Sequence, residues 1–166
     1  MKTTKPLYTY TTGIEASKTI GEIQENLVSH GAKQVMANYT DNGQIEALSF
    51  MIVTPEGKAI AIRLPCDPNP VYKVLERQNN EGKVPTKFVS KDQALRVAWR
   101  IVKYWVEAQM ALLETQMVKM EQVFLPYAIV RGGKTLYESM KTGNFALLEA
   151  KIESSQNGAE EGEVVR

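Results

Sequence analysis

QVMANY TDNGQ IEALSFMIV TPEGK AIAIRL, residues 34 to 64, is the stretch that decides the fold. Three apolar-rich runs, Gln34–Tyr39, Ile45–Val53 and Ala59–Leu64, are separated by two turn-forming segments. Asp41-Asn42-Gly43 tolerates positive φ, and Thr54-Pro55-Glu56-Gly57 reverses the chain a second time. In the third run Ile60, Ile62 and Leu64 alternate with Ala59, Ala61 and Arg63, so the two faces differ in polarity. The spacing predicts an antiparallel meander with one buried face.

That face needs a cover, and helical patterns flank the meander on both sides. Upstream, Thr19 and Glu22 form a capping box, Ile20, Ile23 and Leu27 share a face, and Gly31 supplies a stop. Residues 1–16, with Tyr8 and Tyr10 among threonines, are expected to form an extended arm or an edge strand. Downstream, residues 65–89 hold four of the seven prolines and predict a long mobile loop, with room for a short helix near Val71 to Gln78. Ser90 and Gln93 then open a helical pattern free of Pro and Gly until Pro126. Its roughly 35 residues would span about 52 Å, against a diameter near 40 Å for a globule of this size. Such a helix must protrude, break or be covered by a second subunit. Its later half narrows to a seam of Leu113, Met117, Met120 and Phe124, which predicts a homo-oligomer. Ala128 and its neighbours and Thr135-Leu136-Tyr137 flank Gly132-Gly133 as a small hairpin, followed by a short helix around Asn144 to Lys151. The expected fold is α+β: a three-stranded antiparallel sheet on an N-terminal helix and one long helix, plus a C-terminal hairpin. It forms a single domain over 17–152, and 153–166 form a disordered acidic tail.

Net charge is +1, unevenly spread: Glu153 to Arg166 holds four Glu against one Arg, leaving the body mildly basic. That permits a nucleic-acid partner without demanding one. No run reaches the length of a membrane span, no apolar segment follows the charged N-terminus, and one cysteine, Cys66, suits a reducing compartment. A cytoplasmic protein with no membrane contact is expected.

Chemistry is sparse. One His and one Cys supply neither a zinc site nor a Cys–His nucleophile, and Asp41, Asp67 and Asp92 sit in a turn, a loop and a helix first turn. His30 precedes a glycine at a helix end, where a positive charge is favourable. Glu107, Glu114 and Glu121 recur every seven residues, as a solvated helix face does. Arg131-Gly132-Gly133-Lys134-Thr135 is similar to the tail of a phosphate-binding loop, but Ala128 stands where that loop needs Gly, so a hairpin turn is the better reading. No catalytic residue, cofactor or metal site is expected, and the chain is read as a non-enzyme.

The positive signal is a basic, aromatic helix face. Arg96, Arg100 and Lys103 share it, with Trp99, Tyr104 and Trp105 close by; together with Arg63 they are candidate contacts to a nucleic-acid backbone and bases. Against this stand the i,i+4 pairs Asp92–Arg96 and Lys103–Glu107 and the place of both tryptophans on the apolar stripe. The order helix, three strands, helix also matches the double-stranded RNA-binding domain, without its tandem lysines.

Two stretches carry a further resemblance. Thr19-Ile20-Gly21-Glu22-Ile23 through Gly31-Ala32-Lys33-Gln34 leads into the meander ending Ile62-Arg63-Leu64-Pro65. Ala98-Trp99-Arg100 leads through Glu121-Gln122-Val123-Phe124-Leu125 to Ile129-Val130-Arg131-Gly132-Gly133-Lys134-Thr135. Over roughly residues 17–140, excluding the proline-containing segment 65–89, and in this order, the chain resembles a widespread family of small uncharacterised proteins encoded by phages and prophages. His30-Gly31 stands where that family has Tyr-Gly, and Gln122 where it has a second Glu. The resemblance implies a bacterial cytoplasm and an accessory role in phage replication, recombination or host takeover. Two functions follow as expectations: nucleic-acid binding, or inhibition of a host factor such as a defence enzyme without nucleic-acid contact.

Overall fold

A computed structural model describes residues 5–148. Strands β1 (Gln34–Tyr39), β2 (Ile45–Val53) and β3 (Ala59–Arg63) form an antiparallel sheet in the order β1-β2-β3. Gly43 and Gly57 take φ of 74° and 82° in the two turns, which a side chain would resist. Register pairs Phe50 with Val35 on one side and Ile62 on the other, so the apolar residues of the three strands share one face. Leu48, Phe50, Ile52, Ile62 and Leu64 are buried, and Ala59 and Ala61 are exposed, as the alternation in the sequence requires.

Helices α1 (Ala16–Ser29) and α3 (Lys91–Glu114) cover that face. Ile20, Ile23 and Leu27 of α1 meet Trp99, Val102, Val106 and Met110 of α3 in one core with the strands. Both tryptophans belong to this core, Trp99 fully and Trp105 in part. The capping box expected at Thr19 does not form. Helix α1 begins four residues earlier, behind Glu15, and Thr19 is a buried interior residue. Gly31 does end it, at φ 100°.

The expected loop over 65–89 is largely helix α2 (Pro68–Asn80). Asp67 accepts a hydrogen bond from Asn69 N at 2.9 Å as N-cap, and Pro68 and Pro70 lie in the first turn, where no backbone donor is lost. Prolines that look like breakers therefore start the helix. Leu75, Val84 and Ala94 make a second, smaller core. The N-terminal arm is not extended over its described residues. It turns at Tyr8–Thr11, and Leu7 and Tyr10 pack into the second core. Buried Gln78 accepts from Leu7 N at 2.8 Å, and buried Gln93 donates to the carbonyls of Tyr10 and Thr12.

The long helical pattern breaks. Helix α3 stops at Glu114, Gln116 adopts φ 58°, and the chain restarts as α4 (Met120–Phe124). Twenty-four residues span about 36 Å, within a globule of this size. After Pro126 only single bridges form, Ile62 with Ala128 and Ile129 with Thr135. Thr135 does not continue a hairpin strand; it caps α5 (Leu136–Thr142) through a capping box with Glu138. A 3₁₀ turn at Ala146–Leu148 occupies part of the expected final helix; Lys151 and the acidic tail lie outside the described residues. Among the described residues no helix is long and apolar enough to cross a membrane.

Candidate nucleic-acid interface

The basic stripe on α3 is present but not free. It faces α1, whose acids lie some 80 positions away in sequence. Arg96 Nη2 donates to Glu15 Oε1 at 2.9 Å, replacing the expected pair with Asp92. Arg100 is buried, donating to Glu22 Oε2 at 2.7 Å and to Thr19 Oγ1 at 3.4 Å. Lys103 Nζ stands 3.3 Å from Glu22 and 2.9 Å from Glu107, the second of these being the expected i,i+4 pair. Burial opposes ionisation of Glu22, but the hydrogen bonds and charges of Arg100 and Lys103 together hold its carboxyl below the usual range. The bond to Glu107 leads in raising the Lys103 ammonium, with Glu22 adding to it. Tyr104, still partly exposed, is flanked by the cations of Arg100 and Lys103 at 5.6 and 5.4 Å and by the Tyr8 ring. Three of the four candidate contacts thus serve to join α1 to α3. The expected phosphate contacts at Arg96, Arg100 and Lys103 are engaged with acids of the protein itself.

The expected oligomer seam lies largely inside the protomer. Phe124 is 0% exposed, edge-on to Phe50 and Trp105 at 5.1 and 5.5 Å inside its own protomer. Leu113 and Met120 pack partly against the same core, and Met117 alone faces outward, 66% exposed. The break at Gln116 turns the late apolar residues inward. It also leaves only Glu107 and Glu114 on α3, with Glu121 in the separate helix α4. Glu114 instead accepts from His30 Nε2 at 2.9 Å, linking the C-terminal ends of α1 and α3.

Arg63, the fourth candidate, lies elsewhere. At the end of β3 its Nη2 donates to Gly133 O at 2.9 Å, which places the guanidinium on the turn carrying Arg131 and Lys134. Gly132 and Gly133 take φ of 89° and 76°, so only residues without Cβ make this turn cheaply. None of Arg63, Arg131, Lys134 and Lys141 has an ion pair among the described residues. Glu138 is engaged with Thr135 N at 2.8 Å, a bond that leads in lowering its pKa, helped by the charges of Arg63 and Lys134.

Beside this turn opens a cleft of about 660 Å³. Its walls are mostly apolar, with Leu64, Pro65, Pro126, Tyr127 and Tyr137, and its charged positions are two cations, Arg63 and Lys141, and two acids, Asp67 and Glu138. Tyr127 is held edge-on by Trp105 at 5.4 Å, and Tyr137, half exposed, has Phe145 at 6.0 Å. Cys66 also lines the cleft, but burial pushes its thiol up to about 12, so it is no nucleophile at neutral pH. A second cavity of about 480 Å³ lies between α1, the β1–β2 turn and α3; there Arg96 Nε and Trp99 Nε1 are buried without a hydrogen-bond partner. Among the described residues no group of three His, Cys, Asp or Glu converges on a possible metal position. Comparison with known protein families, curated proteins and solved structures finds no match.

The sequence named Arg63 but did not join it to Arg131, Lys134 and Lys141. The signal was there in Arg131-Gly132-Gly133-Lys134: a glycine turn that presents two cations must put them on the surface. Which strand end lies beneath it is a tertiary fact.

Proposed function

We propose that this protein is a non-enzymatic phage or prophage accessory protein, acting in the bacterial cytoplasm by binding nucleic acid. The contact lies at the Gly132–Gly133 turn and the adjoining cleft, not on α3. One observation carries this reading: Arg63, Arg131, Lys134 and Lys141 form no ion pair among the described residues, the nearby Glu138 being engaged with Thr135 N, while Arg96, Arg100 and Lys103 are paired with Glu15, Glu22 and Glu107. Unpaired cations at a rigid turn suit phosphates, and exposed tyrosine rings suit bases. The resemblance over residues 17–140 supplies the phage setting.

Fluorescence anisotropy at graded salt tests it. Affinity for an oligonucleotide should fall with a linear log–log salt slope, and Arg131→Gln with Lys134→Gln should reduce that slope by roughly 0.7 to 0.9 for each phosphate the variant no longer neutralises. Arg96→Gln should leave the slope unchanged. Absence of binding at low salt overturns the reading.

A second reading, inhibition of a host protein, draws on β1. This edge strand carries no charged residue over Gln34–Tyr39, and Met36 and Tyr39 are about 60% exposed. Edge strands are often guarded by charge; one without it can accept a partner strand. Capture of a specific host protein that Met36→Lys abolishes would favour this reading.

A further inference from the structure

We infer that the cleft beside the Gly132–Gly133 turn takes an unpaired base, so that the ligand of this surface is a single strand and not a duplex. The inference rests on the nucleic-acid reading above and deepens it. A duplex offers its phosphates to Arg131 and Lys134 but keeps its bases stacked inside, and the apolar walls of the cleft would then contact nothing. A single strand can place a phosphate on the turn and turn a base into the neighbouring space. The cleft, at about 660 Å³, is larger than one phosphate requires, and its walls bear the wrong chemistry for one: Leu64, Pro65, Pro126 and two tyrosines.

One of the two tyrosines is already packed against the core and the other stands open to a ligand. Trp105 holds Tyr127, Phe145 stands beside Tyr137, and Tyr137 is 51% exposed at the first turn of α5. A ring that does not move on binding loses little entropy, which favours stacking. Asp67 and Glu138 also line the cleft, and both already accept backbone hydrogen bonds, from Asn69 and Thr135. Their carboxylates repel a phosphate inside the cleft while accepting from base N–H groups. Arg131 and Lys134, on the turn beside the cleft, hold the phosphate outside.

The test titrates the full chain with a thymidine 12-mer, its duplex with the complement, and a 12-mer of abasic sugar-phosphates, by anisotropy at low salt. The single strand should bind roughly 5- to 100-fold tighter than the abasic strand, the span expected for stacking of one base. Tyr137→Ala should erase that difference and Tyr137→Phe should keep it, with thermal melting confirming that each variant folds. Equal binding of all three ligands overturns the inference and leaves the nucleic-acid reading standing. A single-strand preference that survives Tyr137→Ala overturns the assignment to this cleft. If no ligand binds, both fall. The comparison with abasic strand needs no variant, so a misfolded Tyr137→Ala leaves it decisive.

Discussion

Replacing Gln116 by glycine should make the protein more stable, and the sign of that change discriminates between a broken and a continuous helix. Gln116 sits at φ 58°, just past the Thr115 cap of α3, with its backbone N–H donating to Leu113 O at 2.9 Å. A side chain in this left-handed conformation costs roughly 1–2 kcal/mol. Glycine removes that cost but loses about 0.5–1 kcal/mol more entropy on folding. The net expectation is a gain of about 0.5–1 kcal/mol, or roughly 1–4 °C in midpoint for a chain of this length. Gln116→Ala, which keeps Cβ, should gain almost nothing. Were the helix to run unbroken through residue 116, the order would invert: alanine would stabilise, and glycine would cost up to about 1 kcal/mol relative to alanine. Thermal denaturation followed by far-ultraviolet circular dichroism reads both variants. A glycine variant that melts below the parent refutes the break.

Two further perturbations probe the same architecture. Phe124→Ala should cost about 3–5 kcal/mol, with a midpoint that does not depend on protein concentration, because the ring fills the protomer's own core between Phe50 and Trp105; a mild, concentration-dependent loss would restore the oligomer seam. His30 donates from Nδ1 to Asn26 O at 2.8 Å and from Nε2 to Glu114 at 2.9 Å, an arrangement only the imidazolium satisfies. The Glu114 hydrogen bond, then the Asn26 carbonyl, raise its pKa from 6.5. With the folded-state value above the unfolded one, the stabilisation is complete below pH 6.5 and is lost as pH rises through the raised value. Melting midpoints should therefore fall across that window, and Glu114→Gln should flatten the fall; parallel profiles for parent and variant would refute the pairing.

What was legible in the chain is what local periodicity encodes. Alternation of Ile60, Ile62 and Leu64 with Ala59, Ala61 and Arg63 fixes a face because a strand has period two, and the two Gly-containing turns fix the meander. The break at Gln116 was hidden because its residue type carries no stop signal; packing of Phe124 against Phe50 and Trp105 selects it. Helix α2 was hidden for the opposite reason: Pro68 and Pro70 signal a break inside a helix but are neutral in its first turn, and only Asp67 as N-cap distinguishes the two cases.

The basic stripe shows where sequence reasoning about charge reaches its limit. Spacing by three and four states which residues share a helix face, and Arg96, Arg100 and Lys103 do share one. It does not state what lies opposite. Glu15 and Glu22, separated by seven residues, share a face of α1, and α1 packs on α3, so two amphipathic charged edges meet and cancel. A cation is available to a ligand only after such internal pairs are removed from the count. Applied to this chain, the removal takes away the densest basic segment and leaves the glycine turn among the sites that keep their cations, because the short loop between Val130 and Thr135 carries no acid of its own. A mildly basic chain can therefore carry a cluster of cations without ion pairs at this turn even though its net charge is only +1. If Arg131 and Lys134 dominate the salt dependence of binding and Arg96 contributes none, the location of function follows from pairing and not from composition.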